Sequence, residues 1–151
     1  MVLLPTGSRL TTCMSQEGLS ELIFDAELVC EWVEKQIGYG LGRPATAIGF
    51  ARDGKLIAGV MYTNYSDEGS ICAHIAGVGF WLKPLFLNAM FRYPFKQLRV
   101  RRITCYVASK NLKSRKLCGH LGFTYESTMA RAMKDDDVLI YRLFKEDCRY
   151  G

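Results

Sequence analysis

A chain of 151 residues is the size of one domain of ~100–200 residues, and its 49% apolar content supplies one sizeable core and argues against disorder. The net charge of +5 is modest and leaves room for an anionic ligand or partner without marking a strongly basic protein. No apolar run reaches the ~18–20 residues of a membrane span, and no basic start with an apolar stretch marks a signal peptide, so a cytoplasmic protein with no membrane partner is expected.

In chain order, Met1–Leu4 reads as a short strand ended by Pro5 and Gly7. From Ser20 to Ile37 the residues Leu22, Ile23, Ala26, Val29, Cys30, Val33 and Ile37 recur at helical spacing, with Ser20 as cap and Gly38 as stop. Ala45–Arg52 and Lys55–Asn64 then flank Asp53-Gly54, a two-residue hairpin turn. Ser70–Val78 follows the turn residues Asp67 to Gly69, and the three runs together predict an antiparallel meander.

Lys83–Leu98 predicts a helix with Pro84 in its first turn, and Pro94 kinks it or ends it early. Arg101–Ala108 alternates as a strand, with Ile103, Cys105 and Val107 on one side and Thr104, Tyr106 and Ala108 on the other. A strand, helix, strand crossover of that length implies parallel pairing. Asn111–Leu121 forms the next helix, stopped by Gly122. Phe123–Met133 and Val138–Lys145 close the chain as a hairpin over the turn Lys134–Asp137. The pattern is one α/β domain over residues 1–151 with a mixed sheet.

The six cysteines are scattered, with no C-x-x-C pair and no cluster with His, so no metal site is expected and the thiols read as reduced, buried side chains. Arg92 to Arg102 form one basic run and Lys110 to Lys116 another, which predicts an anion near the middle of the chain. Phe91, Tyr93 and Phe95 beside the first run admit nucleic acid as a partner, although a structural helix explains the aromatics equally well.

The segment Asn111-Leu-Lys-Ser114-Arg-Lys-Leu-Cys118-Gly-His-Leu-Gly122-Phe123-x-x-Glu126 resembles the N-x-x-S, short helix, G-F-x-x-E signature of the GCN5-related N-acetyltransferase (GNAT) family. The flavour is that of the ribosomal-protein alanine acetyltransferases and their bacteriophage-encoded relatives, and the order of elements is similar too. The resemblance implies a GNAT-like, mostly antiparallel sheet flanked by helices, with a V-shaped cleft between two central parallel strands that holds acetyl-CoA, and CoA as product. A phage-encoded relative would act in the host cytoplasm.

By that resemblance the strand edge and loop from Ile75 through Ala76, Gly77, Val78, Gly79 and Phe80 face the cofactor, with loop glycines letting backbone approach phosphate. Asn111 binds the pantetheine arm, Ser114 lies near the thioester, and Arg115 and Lys116 serve the adenosine phosphates. The loop departs from the family's Q/R-x-x-G-x-G/A pattern: Phe80, Trp81 and Leu82 stand where basic residues are usual. Local readings run alongside: Asn111 as helix N-cap, Ser114 in the first turn, Arg115 and Lys116 on a solvated face.

Acyl transfer to an amine needs a base, oxyanion donors and an acid for the departing thiolate. Tyr106, His74, Ser114 and Cys118 are the catalytic candidates, and Glu126 is a candidate on the acceptor side. Cys118 occupies the helix position where many family members carry Tyr. The implied reaction is direct attack of a primary amine (protein α-amine, side-chain amine or small amine) on the thioester. The other reading is a GNAT-shaped binding module without turnover. The acceptor and the oligomeric state are not written in the sequence.

Overall fold

A computed structural model describes residues 12–15 and 18–151. Among them lies an eight-stranded sheet in the order β1-β2-β3-β4-β5-β6-β8-β7. Strands β1 (Thr12–Ser15), β2 (Gly18–Ile23), β3 (Thr46–Arg52), β4 (Lys55–Ser66) and β5 (Ser70–Gly77) form an antiparallel meander. β6 (Arg102–Ala108) joins β5 in parallel, β8 (Asp136–Phe144) joins β6 antiparallel, and β7 (Thr124–Met133) forms the edge. The strand expected at Met1–Leu4 lies outside the described residues.

The helix expected from Ser20 is corrected. Ser20 pairs with Arg52 and Leu22 with Phe50 in the β2–β3 ladder, so this stretch is strand, and α1 covers only Ala26–Ile37. Its N-cap is Asp25, whose Oδ1 accepts the Leu28 N–H at 3.3 Å. The apolar pairs Leu22-Ile23 and Val29-Cys30 satisfy a helical period, but a strand partner thirty residues downstream satisfies the backbone of 18–23 instead. The meander is thereby five strands long instead of three.

The predicted helix Lys83–Leu98 divides. α2 spans Pro84–Arg92, and Tyr93–Gln97 continues as a wider π-helical turn. Pro94 has no N–H to donate, and the wider turn carries the chain past it, with the Leu98 N–H reaching back to the Tyr93 carbonyl at 3.0 Å. α3 spans Leu112–Leu121 and ends at Gly122, whose φ of 97° is the left-handed conformation that a C-cap requires.

The two sheet faces bury different cores. Val29, Cys30 and Val33 of α1 pack with Ala47 and Met61 on one side. The larger cluster, on the other side, joins Phe86, Leu87, Met90 and Phe91 of α2 and Cys118 and Leu121 of α3 to Val60, Tyr62, Ile71, Ile103, Cys105 and Leu143 of the sheet. α1 covers β3, β4 and β5, and among the described residues no helix covers β6, β8 and β7 on its side. Among the described residues no helix is long and apolar enough to cross a membrane.

Candidate active site

Cross-strand register creates an opening in the middle of the sheet. β5 and β6 pair at Ser70↔Arg102, Ile71↔Ile103 and Cys72↔Thr104 and then separate, while β5 runs on to Gly77 and β6 to Ala108. Beyond Cys72 the β6-facing backbone edge of β5 has no strand partner among the described residues, so Ala73 to Gly77 and Cys105 to Ala108 form the two arms of a V. Each arm leads into a helix N-terminus: β5 through residues 78–83 into α2, β6 through residues 109–111 into α3.

The loop after β5 has a definite shape. Trp81 is buried, its ring edge-on to Phe86 at 5.9 Å, and it lies over Gly77 so closely that a Cβ there would meet the indole at 2.4 Å. The Val78 N–H is spent on the Ile57 carbonyl at 2.8 Å, and Arg52 Nη2 holds the Phe80 carbonyl at 3.0 Å. The N–H groups of Gly79, Phe80, Trp81 and Leu82 make no hydrogen bond among the described residues. Phe80 is exposed, as are Val78 and Leu82. These unspent donors lie directly before the first turn of α2, whose own N-terminal N–H groups are also without helical partners.

Asn111 caps α3: its Oδ1 accepts the Ser114 N–H at 3.1 Å, which leaves its amide NH2 unspent. Ser114 is half-buried in the first turn. Arg115 Nη1 donates to the Ser109 carbonyl at 3.2 Å, and Lys116 is exposed beside it. Cys118 faces Cys105 of β6 on the α2 and α3 side. Its thiol is held below the usual range by the hydrogen bond from Cys105, and Cys105 is pushed up first by that bond and then by burial.

The polar residues of the V lie on the opposite, α1 side, because β5 and β6 alternate. His74 Nε2 is 2.8 Å from Thr63 Oγ1. Burial lowers the His74 pKa from 6.5, against a weaker opposing pull from Glu34, so the ring is neutral at neutral pH with Nδ1 unspent. Across the opening Tyr106 is 42% exposed and its hydroxyl lies 3.9 Å from Cys72 Sγ. Desolvation raises the Tyr106 pKa above 10, so the phenol keeps its proton. Glu126 is ion-paired with Arg102 at 2.8 Å and Arg142 at 3.4 Å; the Arg102 bond holds its carboxyl below the usual range.

The structure thus brings His74, Tyr106 and the 75–80 segment to one opening, with Asn111 and Ser114 at its second rim, Cys118 behind the sheet and Glu126 two strands away. Sequence reasoning missed Thr63, Cys72, Arg102 as an individual residue, and Arg142. Each acquires its place only through cross-strand register.

No protein-family model matches the sequence, and no curated protein does. Solved structures do match. Mycobacterium smegmatis RimJ in complex with CoA-disulfide superposes with a TM-score of 0.68 at 12% identity, over 95% of this chain and 90% of that one. The spermidine N-acetyltransferase from Vibrio cholerae gives 0.60 at 20% identity, over 77% of this chain and 72% of that one. The fold is GNAT-like. In this GNAT-like fold the V between β5 and β6 is the cleft, α2 and α3 close one side of it, and α1 stands over only the first arm on the other.

Proposed function

We propose that this protein is an N-acetyltransferase that uses acetyl-CoA and passes the acetyl group directly to a primary amine. The separation of β5 from β6 beyond Cys72↔Thr104, with His74 on one arm and Tyr106 on the other, carries the reading. The residues present suit the cofactor: an unpaired strand edge for amides and a row of unpaired loop N–H groups for phosphate oxygens. The RimJ structure of similar fold holds a CoA disulfide.

When bound, acetyl-CoA supplies an electrophilic thioester carbonyl and a thiolate leaving group. Backbone groups of Ile75, Ala76 and Gly77 would hold its amide-bearing arm, and the N–H groups of Gly79 and Phe80 its phosphates, with Arg115 and Lys116 adding positive charge. Val78 contributes no donor, since Ile57 uses it. Asn111 caps α3 through Oδ1 and offers its NH2 to the arm, and Ser114 offers its hydroxyl from the same helix turn.

His74 is the base. In the tautomer this role requires, Nε2–H donates to Thr63 Oγ1 2.8 Å away, which orients the ring and leaves Nδ1 to take a proton from the amine, directly or through water. Tyr106 keeps its proton at neutral pH and therefore acts as acid toward the departing sulfur. Cys118 is tied to Cys105 and packs α3 on the sheet. The ribosomal-protein flavour of the signature makes a protein α-amine one acceptor class, acted on in the cytoplasm where acetyl-CoA is found.

The test is acetyl-CoA-dependent thiol release with a panel of primary amines, for the wild type and for His74→Ala and Tyr106→Phe. Both variants are expected to lose turnover while retaining CoA affinity. Wild-type rates in both would remove these residues from the mechanism.

A further inference from the structure

The α1 side of the cleft has a charge pattern that narrows the acceptor. Among the described residues α1 packs on β3 to β5, and no helix of theirs stands over the surface of β6, β8 and β7 beside Tyr106. Arg102, Thr104 and Tyr106 of β6 share that surface with Arg142, Ile140 and Phe144 of β8, which lie opposite them in register.

Arg102 is fully engaged: Nε donates to Thr104 Oγ1 at 3.1 Å and the two Nη atoms to Glu126 at 3.3 and 2.8 Å. Arg142 is not. Its Nε lies 3.4 Å from Glu126 Oε1 and its guanidinium stacks 4.3 Å from the Phe144 ring centre, which leaves both Nη groups without a partner among the described residues. Two guanidiniums share one carboxylate, so the cluster keeps one positive charge. It lies over an aromatic ring, with the Arg142 side chain 26% exposed.

Of the acids around this surface, Glu34 is neutralised by an ion pair, whereas Asp136 and Asp137 take only backbone N–H groups and Asp135 is exposed beside them. Glu34 accepts from Arg43 at 2.8 Å and from the Leu41 N–H at 2.6 Å. At the β7–β8 turn Asp136 accepts from the N–H groups of Lys110 and Asp137, and Asp137 accepts from that of Arg131. At Arg102, Arg142 and Glu126 an acceptor with a second ammonium group meets a net positive cluster.

Resting on the acetyltransferase reading, we infer that the acceptor is a primary amine whose own molecule carries a carboxylate, and that Arg142 receives that carboxylate. Arg142 sits opposite Thr104, two residues along and one strand across from Tyr106, a backbone separation on the order of 8 Å. A dipeptide's terminal carboxylate or an acidic second side chain of a peptide spans that distance from an α-amine.

Matched probes test this: glycylglycine against glycylglycinamide, a pentapeptide amide with Glu against Gln at its second residue, and spermidine as a polycation. Binding to CoA-saturated protein is measured by calorimetry and transfer by thiol release. The carboxylate member of at least one pair is expected to win by about tenfold or more, with spermidine poorest. The pair that discriminates tells a free carboxylate from an acidic side chain. Arg142→Gln should bring that ratio close to one, and Arg142→Lys should restore part of it. Equal partners in both pairs, a preference for spermidine, or a ratio that survives Arg142→Gln in a protein of unchanged Tm overturns the inference. Intact CoA binding without carboxylate preference sinks this inference alone; no CoA binding sinks the acetyltransferase reading as well.

Discussion

Gly77→Ala puts a methyl group into the tightest contact at the end of β5. The added Cβ would lie 2.4 Å from Trp81 Cε2 and Nε1 and 2.5 Å from Cδ1, about 1 Å short of ordinary contact. The indole cannot retreat inward: Phe86 stands edge-on to it at 5.9 Å, is fully buried, and stacks on Phe50 at 5.5 Å. It must move outward and carry residues 78–83 with it, which disturbs the N–H row offered to phosphate. Overpacking of this kind costs about 1–3 kcal/mol. For a chain of this size that lowers Tm by roughly 2–12 °C. Thermal unfolding reads the first effect and calorimetric titration with CoA the second, where weaker binding is expected. In a Trp81→Leu background the same substitution should be nearly neutral, because the clash is gone. A Gly77→Ala protein with unchanged Tm and unchanged CoA affinity would refute both the packing argument and the role given to the loop.

His74→Ala and Tyr106→Phe should each reduce kcat by about 10²–10⁴-fold with the Kd for CoA retained, as removal of a general base or acid does. The acidic limb of the kcat profile should lie below pH 6.5, because His74 must be neutral and burial lowers its pKa; an acidic limb above 6.5 would exclude it as the base. Asn111→Ala should destabilise by about 0.5–2 kcal/mol through the lost cap and also weaken CoA binding. Asn111→Asp keeps the capping oxygen and removes the NH2, so Tm should hold while CoA affinity falls; unchanged affinity would leave Asn111 as a cap only.

From β3 onward the architecture is legible because turn chemistry and alternation agree. Asp53 and Gly54 take φ of 51° and 80°, the left-handed pair that a two-residue hairpin demands, and the strands either side follow directly. β2 was not legible: its apolar residues continue into the helical spacing of α1, and only β3, distant in sequence, decides in favour of a strand. Pro94 signalled a break without revealing the π-helical turn that absorbs it.

The site divides along the same line. His74 and Tyr106 stand out in sequence as polar residues in apolar strands. Thr63, Cys72 and Arg142 do not, because each is defined by the residue opposite it in a neighbouring strand. The length of the β5–β6 pairing, which sets where the V opens, is likewise a property of packing on both faces. Glu126 belongs to the recognisable signature, but its neutralisation by Arg102 and Arg142 is a feature of register alone.

Calorimetric titration of the purified protein with acetyl-CoA, and separately with CoA, tests the acetyltransferase reading most directly. Micromolar binding of both, weakened by Gly77→Ala, is expected. No binding at millimolar cofactor would contradict it and leave a GNAT-like fold without its cofactor.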